Sequence, residues 1–315
     1  MSILDQPQAR ALPMRPRSLA KSHPAAAFFA FTYLYSWLFW APAALGYDGA
    51  LSELAIFVGV WGPAAAGATV TWLLGRPVRD WIRGMFRWRM AGRWYVFALV
   101  VPAAIVAVVS GAFLVLGEDL DGSLFGERAA VYVPMLIFVT LVGGGNEEWG
   151  WRGFALPTLL ERNSPVRATL ILGGLWAIWH LPLLAAMDDL SHGLGGAELT
   201  LVLAATVVNI IGLAFFYTYL YRHTGSVLLA VLLHGSFNAA NGTLVLREEI
   251  EGNAYATMQY CITVTTVVVA AVLLWVSRGR LGPQEAAAAT PAVVDLRVGD
   301  ADAVDLAESS AVSHV

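Results

Sequence analysis

Few side chains in this sequence can carry acid–base or metal chemistry in an apolar setting, and those that can fall into three clusters. They are Asn146-Glu147-Glu148-Trp149-Gly150-Trp151-Arg152, then Trp176-Ala177-Ile178-Trp179-His180, then His234-Gly235-Ser236-Phe237-Asn238. Glu148 and Arg152 are four residues apart with the acid first, the favourable order for an ion pair along a helix. Arg152 therefore neutralises Glu148. Glu147 lies about 100° further round the same helix and has no cation nearby in sequence. One carboxylate is thus structural and the other is free for general-base work. His234 and Asn238 are one helical turn apart and share a face. Taken singly, His180 reads as a packed core histidine. His234 and Asn238 alone read as interhelical hydrogen-bonding groups worth about 1 kcal/mol per bond.

Taken together, the set supports two chemistries. Glu147, His180 and His234 are a zinc-compatible trio of possible metal ligands, and a metal held there would polarise a carbonyl and acidify its bound water. In the metal-free version Glu147 and His180 activate a water. His234 and Asn238 then donate hydrogen bonds to the oxyanion, each donor being worth roughly 3 kcal/mol. Both versions hydrolyse an amide. The chain has no His-Glu-x-x-His and no Gly-x-Ser-x-Gly, and no serine adjoins His180. A zincin is therefore excluded and a serine mechanism is disfavoured.

The elements that must position these groups are apolar. The chain has 315 residues, 58% hydrophobic and only 13% charged, with a net charge of −4. Soluble domains carry about 25% charged residues, so a disordered chain, a nucleic-acid binder and an ordinary cytosolic enzyme are all excluded. The single cysteine, Cys261, rules out an intrachain disulfide and a cysteine-based zinc cluster. Stretches free of Asp, Glu, Lys and Arg cover 24–46, 54–75, 94–117, 129–146, 168–187, 199–221, 224–246 and 252–277. Each is long enough, or nearly so, to cross the hydrocarbon core as a helix. The expected fold is an all-α polytopic bundle of about eight transmembrane helices.

Eight crossings put both termini on one side, and that side collects 17 of the 19 basic residues. By the positive-inside rule both termini are cytoplasmic, in a multi-pass protein of the cell membrane. Residues 24–46 are read as a retained helix rather than a cleaved signal peptide, because they form a full-length aromatic-rich span. Residues 76–93 form an amphipathic element, with Arg76, Arg79, Arg83 and Arg87 recurring every three or four positions among Val78, Trp81, Ile82, Met85 and Phe86. It reads as a helix on the cytoplasmic leaflet. The expected organisation is a cytoplasmic tail over 1–23, a membrane domain over 24–280 with its catalytic core at about 130–245, and a disordered, acidic, Ala-rich tail over 281–315. Counted from the cytoplasmic helix ends, Glu147, His180 and His234 lie at depths of about 21, 20 and 17 Å. The fourth helix is extended for this purpose to residue 160, with a kink at Pro157. Polar groups gathered at one level inside a membrane are functional candidates and need a shared wet cavity.

In their order and spacing the three clusters resemble the motifs of the CPBP family, the CAAX prenyl-protease-like and bacteriocin-processing membrane proteins also called the Abi family. The resemblance covers about residues 130–245, and Trp176 stands where phenylalanine is commoner. It implies an intramembrane glutamate- or metal-dependent endopeptidase. By position, Glu147 and His180 resemble the water-activating pair. His234 and Asn238 resemble the oxyanion pair, and Glu148 and Arg152 the structural partners. The partners implied are a peptide or membrane-protein substrate and the lipid bilayer. A prenylated substrate is not carried over, since one lysine against 18 arginines points to GC-rich coding and a bacterial source. Two other classes fit the same letters. One is a non-catalytic scaffold or immunity protein; the other is a proton-coupled transporter using the Glu/His set as a relay.

Overall fold

The computed structural model describes residues 16–186, 194–247 and 251–283, and all regular structure among them is helical. The order begins α1 (Pro16–Ser22), α2 (Pro24–Ala44), α3 (Ala50–Gly59), α4 (Gly62–Leu73), α5 (Val78–Met85), α6 (Gly92–Val115) and α7 (Phe125–Leu141). A broken segment follows: a 3-10 turn at Gly145–Glu147, α8 (Glu148–Gly150), a π-helical turn at Trp151–Ala155, and α9 (Leu156–Leu160). The chain continues with α10 (Pro165–Ala186), α11 (Gly196–Thr224), α12 (Val227–Thr243) and α13 (Gly252–Val276).

Every apolar run falls on helix, but the runs are not eight equal spans. Five stretches are long and apolar enough to cross a membrane: Gly92–Val115, Gly122–Leu160, Pro165–Leu184, Gly196–Thr224 and Gly252–Val276. A sixth exists if α3 and α4, bent by 45°, count as one. The remaining two runs differ for physical reasons. Helix α2 is long enough, but Thr32, Tyr33, Tyr35, Ser36 and Pro42 dilute its apolarity. Helix α12 has 17 residues and carries His234, Ser236, Asn238 and Asn241. On the outer faces Val96, Val100, Val108, Val264, Val268 and Trp275 are exposed, as lipid-facing side chains must be. Arg152, counted above among the charges of the basic side, is fully buried within the bundle and is no loop charge. Most of the two expected tails, 1–15 and 284–315, lies outside the described residues; Leu281, at the start of the second, is fully buried.

Aromatic packing ties α2 to the elements of the site. Phe28 stacks on Phe154 at 5.3 Å, Trp40 meets Trp179 at 4.6 Å, and Trp151 meets Trp179 edge-on at 5.6 Å. The Tyr33 hydroxyl donates to the Leu175 carbonyl (2.7 Å) and the Trp37 indole to that of Trp179 (3.1 Å). These bonds clamp α10 on either side of Trp176.

Helices cross closely where one side chain is missing. Gly150 lies against the Pro63 backbone, and Gly235 lies against the Thr140 side chain and its Cα, so that a Cβ at either position would collide. Small residues at such crossings let backbones approach in a membrane, where packing drives helix association. Gly235→Ala is accordingly expected to destabilise the bundle by about 1–3 kcal/mol, the usual range for overpacking. SDS titration of purified protein in mixed micelles measures it. Thr140→Ala removes the Oγ1 contact but keeps Cα and Cβ, each 2.9 Å from the added Cβ, so the Gly235→Ala/Thr140→Ala double variant should recover only part of the loss; equal stability of wild type and single variant would discount the crossing.

Candidate active site

The broken segment after α7 is the centre of the arrangement. Sequence reading placed its kink at Pro157. In the structure the helix stops at Leu141 and restarts only after Gly143-Gly144-Gly145. Pro157 lies just after the π-helical turn in an uninterrupted helical stretch, and the Gly153 carbonyl, four residues before this residue without an N–H, accepts from the Trp81 indole instead (3.0 Å). Gly144 has φ +148°, a conformation that favours glycine. Its N–H donates to Asn146 Oδ1 at 3.1 Å, and its carbonyl accepts from the Glu147 N–H at 2.9 Å. The turn therefore delivers Asn146, Glu147 and Glu148 into the bundle, all of them buried.

Glu148 is fully buried between two partners. Its Oε1 accepts from Arg152 Nη1 and from His234 Nδ1, both at 2.9 Å, and its Oε2 is also 2.9 Å from Arg152 Nη1. The ion pair along the helix thus has a third member from α12. A carboxylate oxygen only accepts, so Nδ1 of His234 carries a proton and Nε2 is turned away from Glu148. Arg152 is equally buried. Its Nε and Nη2 find no hydrogen-bond acceptor. Instead the guanidinium lies over the rings of Tyr217 (4.0 Å) and Trp176 (4.6 Å), where the ring quadrupoles stabilise the cation.

Glu147, the carboxylate left free in the sequence reading, is not idle. Its Oε2 accepts from the indole N–H groups of Trp176 (3.0 Å) and Trp151 (3.3 Å). Neither donor is a cation, and among the described residues Oε1 has no protein hydrogen-bond partner. His180 is half-buried, and its Nδ1 donates to the Trp176 carbonyl at 2.8 Å. One residue therefore holds both members of the expected water-activating pair, Glu147 through its side chain and His180 through its backbone. Glu147 and His180 do not bond each other directly. His234 completes the ring around this indole, with its centroid 5.9 Å from Trp176 and 6.0 Å from Tyr217.

His234 and Asn238 meet at Gly144. A Cβ built there would lie 2.9 Å from His234 Nε2 and 3.2 Å from Asn238 Nδ2. The two nitrogens flank a niche that exists because residue 144 lacks a side chain. Asn238 is exposed while His234 is buried, so the niche opens outward at the Asn238 end.

The zinc-ligand reading of Glu147, His180 and His234 finds no support in this arrangement. Among the described residues no group of three or more His, Cys, Asp or Glu side chains is placed to hold a metal ion. Glu147 Oε2 accepts from two indoles, His180 Nδ1 donates to the Trp176 carbonyl and His234 Nδ1 donates to Glu148, which leaves Glu147 Oε1 and the Nε2 atom of each ring unengaged among the described residues. No step below is routed through a metal.

Trp176 entered the sequence reading only as a motif aromatic. Trp151, Tyr217 and Gly144 carried no site role there. Three consecutive glycines inside an apolar run are a helix-break signal that could have located the turn. The contacts of Trp151 and Tyr217 had no such signal.

A helical membrane protein that gathers a carboxylate pair and two histidines from three separate helical segments is the class that fold and site define. Comparison with known proteins agrees. Residues 129–240 match the family described as Type II CAAX prenyl endopeptidase Rce1-like. A stretch of 119 residues, 38% of the chain, is 26% identical to CAAX prenyl protease 2 of Methanococcus maripaludis. The match spans 43% of that relative's length. The matched family stretch contains all three motifs, and together these similarities support the CPBP/CAAX protease family for this chain.

Proposed function

We propose that this chain is an intramembrane endopeptidase that cleaves a peptide bond with a water activated by Glu147 and His180. The observation that carries the reading is the double use of Trp176. Its indole takes one oxygen of Glu147 and its carbonyl takes Nδ1 of His180. Glu147 Oε1 and His180 Nε2 are left as two acceptors for one water. Glu147 takes a proton as the water oxygen bonds to the scissile carbonyl carbon. The developing oxyanion sits in the niche at Gly144. Asn238 Nδ2 donates to it, as does His234 Nε2 when the ring carries both protons. Glu147 then returns its proton to the leaving amine as the carbon–nitrogen bond breaks. Glu148 and Arg152 touch no reacting atom; they position His234.

The substrate class is a peptide or a segment of a membrane protein. The arginine-rich end of the bundle faces the cytoplasm, and α2, the α3–α4 pair and α12 complete the membrane domain. New peptide termini in membranes provide the test. Termini that form in cells carrying the wild-type chain should be absent when it is replaced by Glu147→Ala at equal membrane levels. Identical terminus profiles, with any biological activity kept, would instead favour the scaffold reading.

Asn238→Ala removes one oxyanion donor. A loss of about a hundredfold or more in kcat, with KM little changed, is the expected result. Peptide-cleavage kinetics on purified protein check it, and a loss below about threefold would take Asn238 out of the chemistry.

A further inference from the structure

Helix α5 and the chain that follows it face two ways. Outward, Arg79, Arg83, Arg87, Arg89 and Arg93 are exposed and Arg76 is half-buried. The one acid among them, Asp80, lies 3.9 Å from Arg83 in an exposed pair. Two large aromatics are exposed in the same stretch, Phe86 (52%) and Trp88 (60%), and Trp72 (57%) is exposed near the end of α4. Arg17 of α1 adds a further guanidinium, 5.3 Å over the Trp72 ring. Cations that far outnumber the one acid among them, interleaved with exposed aromatics, sit where α4 ends and α6 begins. That is the depth of lipid headgroups.

Inward, the same element braces both parts of the candidate site. The Trp81 indole donates to the Gly153 carbonyl at 3.0 Å, inside the π-helical turn that follows Glu148. Met85 is buried against Val227 and Val231 of α12, and a Cβ on Gly153 would lie 3.1 Å from its Cε. Ser226, the N-cap of α12, donates to the Arg87 carbonyl at 2.6 Å. Two turns later that helix presents His234. Phe86 meets Trp149, the neighbour of Glu148, at 6.1 Å.

We propose that this arginine–aromatic platform binds the headgroups of anionic phospholipids, and that their binding holds the π-turn and the start of α12 in place for catalysis. Guanidinium groups pair with phosphodiesters in a forked geometry that zwitterionic headgroups satisfy less well, because choline cancels the phosphate charge. A membrane-surface arginine contributes about fivefold in affinity for an anionic lipid surface. The surface stands without the protease reading; its effect on cleavage rests on that reading.

The test uses the full chain in nanodiscs of phosphatidylcholine alone or with phosphatidylglycerol. Amide hydrogen exchange over 78–86 and 151–155 is read beside peptide cleavage. Both stretches are expected to exchange on the order of tenfold more slowly with phosphatidylglycerol, and cleavage to rise. Arg79→Gln/Arg83→Gln/Arg89→Gln should abolish both responses while leaving basal cleavage in phosphatidylcholine unchanged. These three side chains are exposed and touch neither the π-turn nor α12. The corresponding triple Lys variant, which keeps the charge, should retain most of the response. Equal exchange and cleavage in the two lipids overturns the proposal. So does a full response from the Gln variant, or a full response to inorganic phosphate in phosphatidylcholine discs. Lipid-dependent exchange without cleavage in either lipid would defeat the protease reading and leave the platform standing.

Discussion

Glu147→Gln is expected to lower peptide cleavage by about 10²–10⁴-fold, the range a positioned general base contributes. The substitution is isosteric. Its amide can still present an oxygen to the indoles of Trp176 and Trp151, which now hold Glu147 Oε2 at 3.0 and 3.3 Å. Because the carboxylate faces indole N–H groups and no cation, the change breaks no ion pair and the fold should tolerate it. The loss should therefore fall on kcat, with KM, membrane insertion and unfolding midpoint near wild type. Single-turnover cleavage of a peptide by purified protein separates the chemical step from binding. A Glu147→Gln chain that cleaves within about tenfold of the wild-type rate would remove Glu147 as the base.

The second large effect concerns stability. Glu148→Gln leaves the Arg152 guanidinium buried at 0% exposure, with two aromatic faces and no anion. Removing one partner of a buried pair typically destabilises by about 3–5 kcal/mol, because the other charge stays buried without compensation. Arg152→Met should be similarly harmful, since it leaves Glu148 with His234 alone. The double variant carries no orphaned charge from the pair and should be more stable than the sum of the single losses predicts, with a coupling of roughly 2 kcal/mol or more. Unfolding in SDS mixed micelles gives all four corners of this cycle. Additive single losses below about 1 kcal/mol would show that the pair is a minor contact. Activity should fall in Glu148→Gln as well, because the partner of His234 Nδ1 at 2.9 Å changes from a carboxylate to an amide.

The different positions of these two carboxylates mark how far the sequence could be read. Glu148 and Arg152 are four apart, and a helix brings such residues together whatever surrounds it. Their ion pair was legible for that reason. So were the all-helical class and the apolar elements, since runs free of charge must keep their backbone bonds internal. The break before Glu147 was written in Gly143-Gly144-Gly145, whereas the sequence reading placed a kink only at Pro157. Chain counting treated the runs as equivalent, whereas α12 has 17 residues and several polar groups, and α3 and α4 are bent by 45°.

What the sequence alone determined is therefore local: which helices form, and which polar residues share a face within each. Tertiary structure decided what crosses between helices. It set Trp176 as the strut between Glu147 and His180, turned His234 Nδ1 onto Glu148, and aimed His234 and Asn238 at the bare backbone of Gly144. The reason is one of range. A helix fixes the relative placement of side chains a turn apart through its own hydrogen bonds, whereas contacts between helices depend on crossings such as Gly235 against Thr140 and Gly150 against Pro63, where partners distant in sequence must fit at once.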